Sequence, residues 1–353
     1  MTVTIVAVPP AQQQPPDLVA LSDAQAAALL LAEVAAADAA SWPLRFALAQ
    51  IRTQLLGRRQ LGAMFGRQPD VRELRAWTGQ QLRDTAGLLD RPSVAAVLRQ
   101  AAEGAAATGA ASAAAQAGIA ETITPRLDPA VAAVARTAPA TAAAHLRQAV
   151  QAVVAAQDVA GIEQALAVAD RAPASLTLAA GWAVHRAAAT SVRATAARLG
   201  AELLWIAERD ACVVCLALAG HTADPRVGDG FDEFATFGPH RPPAPWPPGQ
   251  PLLCPPRHPH CHCQVVVWLG SAAGQPNLPA SLKHEAKRSI LRGFSRPSES
   301  HTTRIAAARQ LLAAGSADMP KSVRAYAAHA VERGRFPTRD VPIWHPSSRS
   351  TSA

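Results

Sequence analysis

The chain has 353 residues, enough for two or three domains, and 49% of them are hydrophobic although only 4% are aromatic. The net charge of +8 arises within residues 271–353, which hold 13 basic and 5 acidic side chains. No basic segment precedes an apolar run at the N-terminus, which argues against a signal peptide. The most apolar stretch, residues 24–40, contains Glu33 and Asp38, so we expect no membrane span and no membrane partner. We expect a soluble protein made in a reducing cytosol.

The first two hundred residues are predicted to be mostly helical. Residues 1–17 are rich in Gln and Pro and are predicted to be disordered. Residues 18–200 are rich in alanine, which favours helix because it loses no side-chain entropy. The first helix is expected to begin at Asp17 or Ser22. Pro43 predicts the start of a new helix, and residues 56–66 are predicted to form a turn. Gly104, Gly109 and Gly118 are predicted to break the helix that follows.

The middle of the chain has a different composition. Residues 201–275 form a second predicted domain, in which residues 203–207 and 264–269 are β-prone. Between them, residues 220–259 contain eleven prolines and are predicted to form a loop. Its three phenylalanines recur every third residue, which favours a short helical turn folded onto this domain: Phe231, Phe234 and Phe237.

The C-terminal part is predicted to be a basic helical region over residues 276–336, in three pieces, followed by a disordered tail over residues 337–353. Proline-containing segments near residues 295–297 and 319–320 divide the pieces. Basic segments of this kind bind DNA or an acidic protein surface, although a solvated helical face has the same composition.

Four of the five cysteines lie in two close pairs, and these pairs carry the chemistry of the chain. Cys212 and Cys215 form a Cys-x2-Cys knuckle, whereas Cys261 and Cys263 directly precede a predicted strand, where alternate residues share a face. Thiolates suit zinc, and four protein ligands give a closed structural site. Our primary hypothesis is therefore a zinc ion held by Cys212, Cys215, Cys261 and Cys263, with His258 as an alternative to one of them.

Other interpretations of the cysteines remain open at this point. The pairs also fit small buried residues that pack without metal, and Cys254 is either a free thiol or an alternative ligand. His260 and His262 are expected to face away from the sulfurs. No catalytic motif is found, and we interpret the remaining candidates as loop and capping residues: Asp210, His221, Asp224, Asp229 and His240.

Two sequence segments carry a family resemblance. The first is Trp205-Ile-Ala-Glu-Arg-Asp-Ala-Cys-Val-Val-Cys-Leu-Ala-Leu-Ala-Gly220, and the second is Pro255-Pro-Arg-His-Pro-His-Cys-His-Cys263. Together they resemble the Mu F-like phage head morphogenesis family, also called minor head or minor capsid proteins. Asp210 lies closer to the knuckle than is usual there, and His262 stands where arginine is usual. The resemblance covers about residues 180–270.

The resemblance implies a non-enzymatic protein that associates with the portal and assists head assembly, DNA packaging or DNA delivery. It implies a location inside the virion head, or in the bacterial host cytoplasm during assembly, with capsid or scaffold proteins as further partners. The basic charge of residues 271–353, which lie outside the resemblance, would suit a surface that faces packaged DNA. Two alternatives from other classes are a zinc-dependent nuclease or hydrolase and a zinc-ribbon-like DNA-binding protein. The expected fold class is α+β and mainly α, with a large helical N-terminal region, a small zinc-stabilised β-containing domain and a basic helical C-terminal region.

Overall fold

The chain folds as an α+β protein that is mainly α, as the sequence predicted. The computed structural model describes residues 17–64, 70–90, 93–120, 125, 127–228, 230–237, 251–270, 275–294 and 299–337. The segments predicted to be disordered, residues 1–17 and 337–353, lie outside them except for Asp17, which caps the first helix, and Pro337. The N-terminal helices are α1 (Leu18–Met64), α2 (Val71–Ala86), α3 (Ser93–Gln116), α4 (Pro129–Ala155), α5 (Val159–Ala169) and α6 (Arg171–Leu199), with a 3-10 turn at Gly87–Asp90.

The remaining elements surround a small sheet. They are β1 (Glu202–Ile206), α7 (Val213–Leu218), β2 (Thr222–Ala223), β3 (Gln264–Trp268), α8 (Leu278–Arg292), α9 (His301–Ala313) and α10 (Lys321–Arg333). The strands are antiparallel in the order β2-β1-β3. Leu203 pairs with Ala223 on one side and with Val267 on the other. Both predicted strands and the three C-terminal helical pieces are thus confirmed.

The predicted interruptions of the N-terminal helices are mostly wrong. Asp17 caps α1 by accepting hydrogen bonds from the backbone N–H groups of Val19 and Ala20. The helix then continues through Pro43 and through most of the predicted turn to Met64. Pro43 removes one backbone hydrogen bond, but the buried residues on either side of it, Ala40 and Leu44, anchor the helix to the core.

Helix α3 likewise runs through Gly104 and Gly109 and ends just before Gly118. At Gly109 the helix crosses α6, and a Cβ atom there would lie 2.3 Å from the carbonyl oxygen of Ala188. This glycine therefore permits a close helix contact instead of a break. Helix α6 contacts α1, α3 and α4, and it is buried along most of its length.

Helix α1 is long and apolar enough to cross a membrane by length and composition alone. This differs from the expectation for residues 24–40, because the helix extends far beyond them. Only 22% of its most apolar window is buried, although the same helix contributes Leu29, Leu48 and Ile51 to the core. Core helices of soluble proteins can have the same length and composition.

The sheet joins the N-terminal and C-terminal helices. One face carries Leu203 and Val265, which share a hydrophobic cluster with α7, α8, α9 and α10. The other face packs Leu204 and Val266 against Leu18 at the start of α1. The apolar core of the cysteine region thus extends into the C-terminal helices, whose Ile290 is fully buried.

Candidate metal centre

The Cys-x2-Cys knuckle is formed by the short helix α7. Cys212 occupies the N-cap position and Cys215 lies in the first turn, so the i and i+3 side chains share one side of the helix. Glu299, which precedes α9, accepts a hydrogen bond from the backbone N–H of Val213 at 2.7 Å. Arg304 pairs with the same carboxylate at 2.8 Å and donates to the carbonyl oxygen of Ala211 at 3.0 Å. The knuckle is therefore supported by α9.

The second half of the motif approaches from the other side. His260 has a φ of +64°, in the left-handed region, and the turn is closed by a hydrogen bond from the Cys261 backbone N–H to the His258 carbonyl. Strand β3 starts at Gln264, directly after Cys263. This turn and strand place His258, Cys261 and Cys263 against α7.

The five predicted ligands meet in one cluster. Cys215 belongs to two groups of convergent ligand atoms, one with Cys212 and His258 and the other with Cys261 and Cys263. The Cys215 and Cys261 sulfur atoms lie 3.7 Å apart, close to the separation of about 3.8 Å that two sulfurs adopt on a tetrahedral zinc. This set of residues could hold a metal ion.

His258 faces both sulfur atoms of the knuckle. Its Nε2 lies 3.1 Å from Cys212 Sγ and 3.3 Å from Cys215 Sγ. Its Nδ1 lies 2.7 Å from the Pro259 carbonyl oxygen, which only accepts, so Nδ1 carries a hydrogen and donates. Metal-binding histidines are commonly oriented by this kind of hydrogen bond. His258 thus remains an alternative ligand on geometric grounds.

The four thiols of the cluster have opposite pKa shifts. Hydrogen bonding with Cys215 lowers the pKa of Cys212 and also that of Cys261. The hydrogen bond with Cys212 raises the pKa of Cys215. Hydrogen bonding with Cys215 lowers the pKa of Cys263, but hydrogen bonding with Cys261 and burial outweigh this effect, so that the pKa of Cys263 is also raised. Burial alone would lower the pKa of His258, but the hydrogen bond with Cys212 and the negative charges of Cys261 and Cys212 raise it to about 9. Thiolates are the form of cysteine that binds metals. The thiolates of Cys212 and Cys261 therefore attract a cation to this cluster.

The other sequence candidates do not join this cluster. Cys254 is buried, but it is absent from the convergent groups within the part of the chain that the structure describes. Its carbonyl oxygen accepts a hydrogen bond from Arg186. Asp224 forms an ion pair with Arg226 at 2.6 Å, consistent with a loop role. Asp229 and His240 lie outside the described residues.

The predicted phenylalanine turn is only partly realised. Phe231 is buried and contacts Trp205 edge-on, with 5.0 Å between the ring centroids. Phe237 packs against the same hydrophobic cluster, whereas Phe234 is 48% exposed. No regular helix forms over residues 231–237.

A second polar cluster was missed by sequence reasoning. Glu33 of α1 accepts from His185 of α6 at 2.9 Å and from His262 at 3.1 Å. In the sequence, Glu33 stands out only as a charge within an apolar segment, and His185 only as one position of a helical pattern. The signal was a carboxylate at the centre of an apolar helix, which is costly to bury without partners. His262 faces away from the sulfur atoms, as predicted.

Comparison of this chain with protein-family models, with curated proteins and with solved structures found no match.

Proposed function

We propose that the cysteine cluster binds one zinc ion with a structural role. The main support is that the two halves of the cysteine motif, which are distant in sequence, converge on Cys215. The resulting cluster is largely buried and offers more sulfur ligands than nitrogen ligands. Sulfur-rich tetrahedral sites select zinc or iron–sulfur clusters, and a mononuclear site with four protein ligands is typical of structural zinc. The proposed ligands are Cys212, Cys215, Cys261 and Cys263, with His258 as the alternative for one position.

We further propose that the chain is a non-enzymatic minor head protein of a tailed phage or prophage that associates with the portal and assists head assembly and DNA packaging or delivery. The proposed zinc site supports this role because its ligands are the cysteines of the two segments that resemble the Mu F-like family. The corresponding locations are the interior of the virion head and, during assembly, the bacterial host cytoplasm. Capsid or scaffold proteins are further proposed partners.

The exposed side of α1 supports a role in protein binding. Several large apolar side chains of this helix are at least 42% exposed, and we refer to them as the apolar side of α1: Leu30, Leu31, Val34, Trp42 and Phe46. Trp42 stacks on Phe46 with 5.2 Å between the ring centroids. Contiguous exposed apolar residues commonly mark protein interfaces.

A nuclease or hydrolase is less well supported at the cysteine cluster. A catalytic zinc keeps one coordination position open for water, whereas five donor residues here compete for four tetrahedral positions. A DNA-binding role depends instead on the basic C-terminal residues. The salt dependence of the DNA affinity tests that role separately.

The portal interaction is tested by co-expression of this chain with the portal protein of the same phage, followed by size-exclusion chromatography with light scattering. We expect co-elution, and we expect the double variant Leu31→Glu/Trp42→Glu to abolish it. Val154→Glu is the matched control, because Val154 is 63% exposed on a different helix. If the wild-type chain elutes apart from the portal protein, the portal proposal is wrong. If the chain self-associates through the same residues, the apolar side of α1 is a homotypic interface.

A further inference from the structure

We propose that Glu33, His185 and His262 form a second metal site, which binds a divalent transition-metal ion such as zinc through two imidazole nitrogens and one carboxylate. The three ligand atoms lie within 4.8 Å of one another. This site shares no ligand with the cysteine cluster proposed to bind the structural zinc.

The three ligands come from different parts of the fold. Glu33 lies in the N-terminal half of α1, His185 lies in α6, and His262 lies between Cys261 and Cys263. Both histidines direct Nε2 at the same carboxylate oxygen, Glu33 Oε2. An ion at this point would connect two N-terminal helices with the cysteine region.

The geometry of the two imidazole rings suits a shared ion. The rings of His185 and His262 stack with 4.7 Å between their centroids and an interplanar angle of 18°. Two imidazolium rings stacked in this way would repel each other, whereas two neutral rings beside one cation would not. His185 Nδ1 is buried without a hydrogen-bond partner among the described residues. Without an ion, Nε2 of His185 donates its hydrogen to Glu33. An ion bound here would replace this hydrogen bond, and the ring hydrogen would move to Nδ1 so that the lone pair of Nε2 faces the ion.

The backbone of α6 makes room for the carboxylate. A Cβ atom at Gly181 would lie 2.6 Å from Glu33 Oε1, so any larger residue would displace this side chain. Gly181 precedes His185 by one helical turn, which places it on the same side of α6. The side chains of His185 and Glu33 are only 3% and 14% exposed.

The ligand set identifies the class of ion. Imidazole and carboxylate together favour zinc and neighbouring first-row metals, whereas calcium and magnesium prefer oxygen ligands alone. Three protein ligands leave at least one coordination position for water. The second site therefore differs from the closed cysteine site both in ligand chemistry and in having a coordination position that no protein ligand fills.

The test is the metal stoichiometry of the purified full-length chain, measured by mass spectrometry after saturation with Zn²⁺ and removal of excess ion. We expect two ions per wild-type chain and one in each of the variants Glu33→Gln and His185→Asn. Glu163→Gln and His145→Asn are the matched controls and should keep two. The variant Gly181→Ala should also bind one, although it removes no ligand.

A Co²⁺ titration of the metal-free wild-type chain makes the test independent of variant folding. We expect one equivalent to give thiolate-to-metal charge-transfer absorption and a second equivalent to give ligand-field bands without it. A single equivalent at saturation overturns the proposal and leaves Glu33 as the acceptor of two histidine hydrogen bonds. Two equivalents that survive both Glu33→Gln and His185→Asn overturn it as well. Neither result bears on the portal interaction.

Discussion

Glu299 connects the Cys-x2-Cys knuckle to the C-terminal helices by accepting a hydrogen bond from the backbone N–H of Val213 at 2.7 Å. The same carboxylate neutralises Arg304, whose side chain is only 1% exposed. Removal of either partner would leave a buried group uncompensated. The folding of α9 and the geometry of the knuckle are therefore expected to depend on each other.

Substitution of Glu299 by alanine should strongly destabilise the protein, because Arg304 would remain buried as an unpaired cation. Breaking a buried ion pair costs about 3–5 kcal/mol. We also expect the zinc affinity to fall about 10–100-fold, as is typical when a residue that orients metal ligands is lost. Chemical denaturation and competition with a zinc chelator measure the two effects.

The control for this change is Arg288→Ala on α8. Arg288 pairs with Glu285 at 3.0 Å, and both side chains are at least 36% exposed. Exposed pairs of this kind contribute less than about 1 kcal/mol. Equal destabilisation by Glu299→Ala and Arg288→Ala would contradict the supporting role of the Glu299–Arg304 pair.

Replacement of Cys215 by serine should abolish zinc binding, because Cys215 is the residue shared by both groups of convergent ligands. His258→Ala should retain one structural zinc with an affinity about 10–100-fold lower, if the histidine orients the sulfurs rather than binding the ion. Zinc retained in Cys263→Ala but lost in His258→Ala would instead assign the fourth position to His258. Cys254→Ser should leave the zinc content unchanged.

Acid should release the structural zinc, because protons compete with the ion for thiolate sulfur and imidazole nitrogen. We expect the bound fraction to fall as the pH is lowered, and to recover when the pH is raised again in the presence of Zn²⁺. Metal content after rapid gel filtration at each pH measures this. A zinc content that does not change with pH would contradict coordination by these groups.

Replacing Gly109 or Gly104 of α3 by alanine should change the stability of the protein in opposite directions. Gly109→Ala places a Cβ atom against the backbone of Ala188, and such overpacking costs about 1–3 kcal/mol or more. A Cβ atom added at Gly104 would have no neighbouring atom within 4 Å. Gly104→Ala should therefore stabilise the helix by about 0.5–1 kcal/mol. Thermal unfolding of both variants makes the comparison. Similar shifts in Tm for both would contradict the close crossing of α3 and α6.

DNA binding by the basic region should be tested by charge reversal. Deletion of residues 271–353 would remove apolar residues that complete the core around the sheet, so its effect on DNA could not be separated from unfolding. The triple variant Arg309→Glu/Lys321→Glu/Arg333→Glu changes exposed cations only. If these cations bind phosphates, the variant should weaken binding and reduce the slope of log affinity against log salt by about 0.9 for each phosphate that is no longer neutralised. Unchanged affinity and unchanged salt dependence would exclude these residues as a DNA surface.

The sequence was most informative where local chemistry alone determines structure. The strand after Cys263 and the convergence of the two cysteine pairs followed from β-branched residues and ligand spacing. The prediction that Pro43 and Gly109 interrupt helices was wrong, because tertiary packing overrode their local preference. The contact of Glu33 with His185 joins residues 152 positions apart, and no local pattern indicates which distant helix a buried carboxylate will meet.

The alanine-rich contact of α3 with α6 also has a consequence for the mutational tolerance of this protein. Where the helices meet at Gly109 and Ala188, the backbones are already close, and little side-chain volume is present to lose. Substitutions that remove atoms should therefore be milder here than in a leucine-rich core, whereas substitutions that add atoms should be harsher. Sequence drift at this crossing is expected to keep glycine at position 109, and to replace alanine by glycine more readily than by valine or leucine.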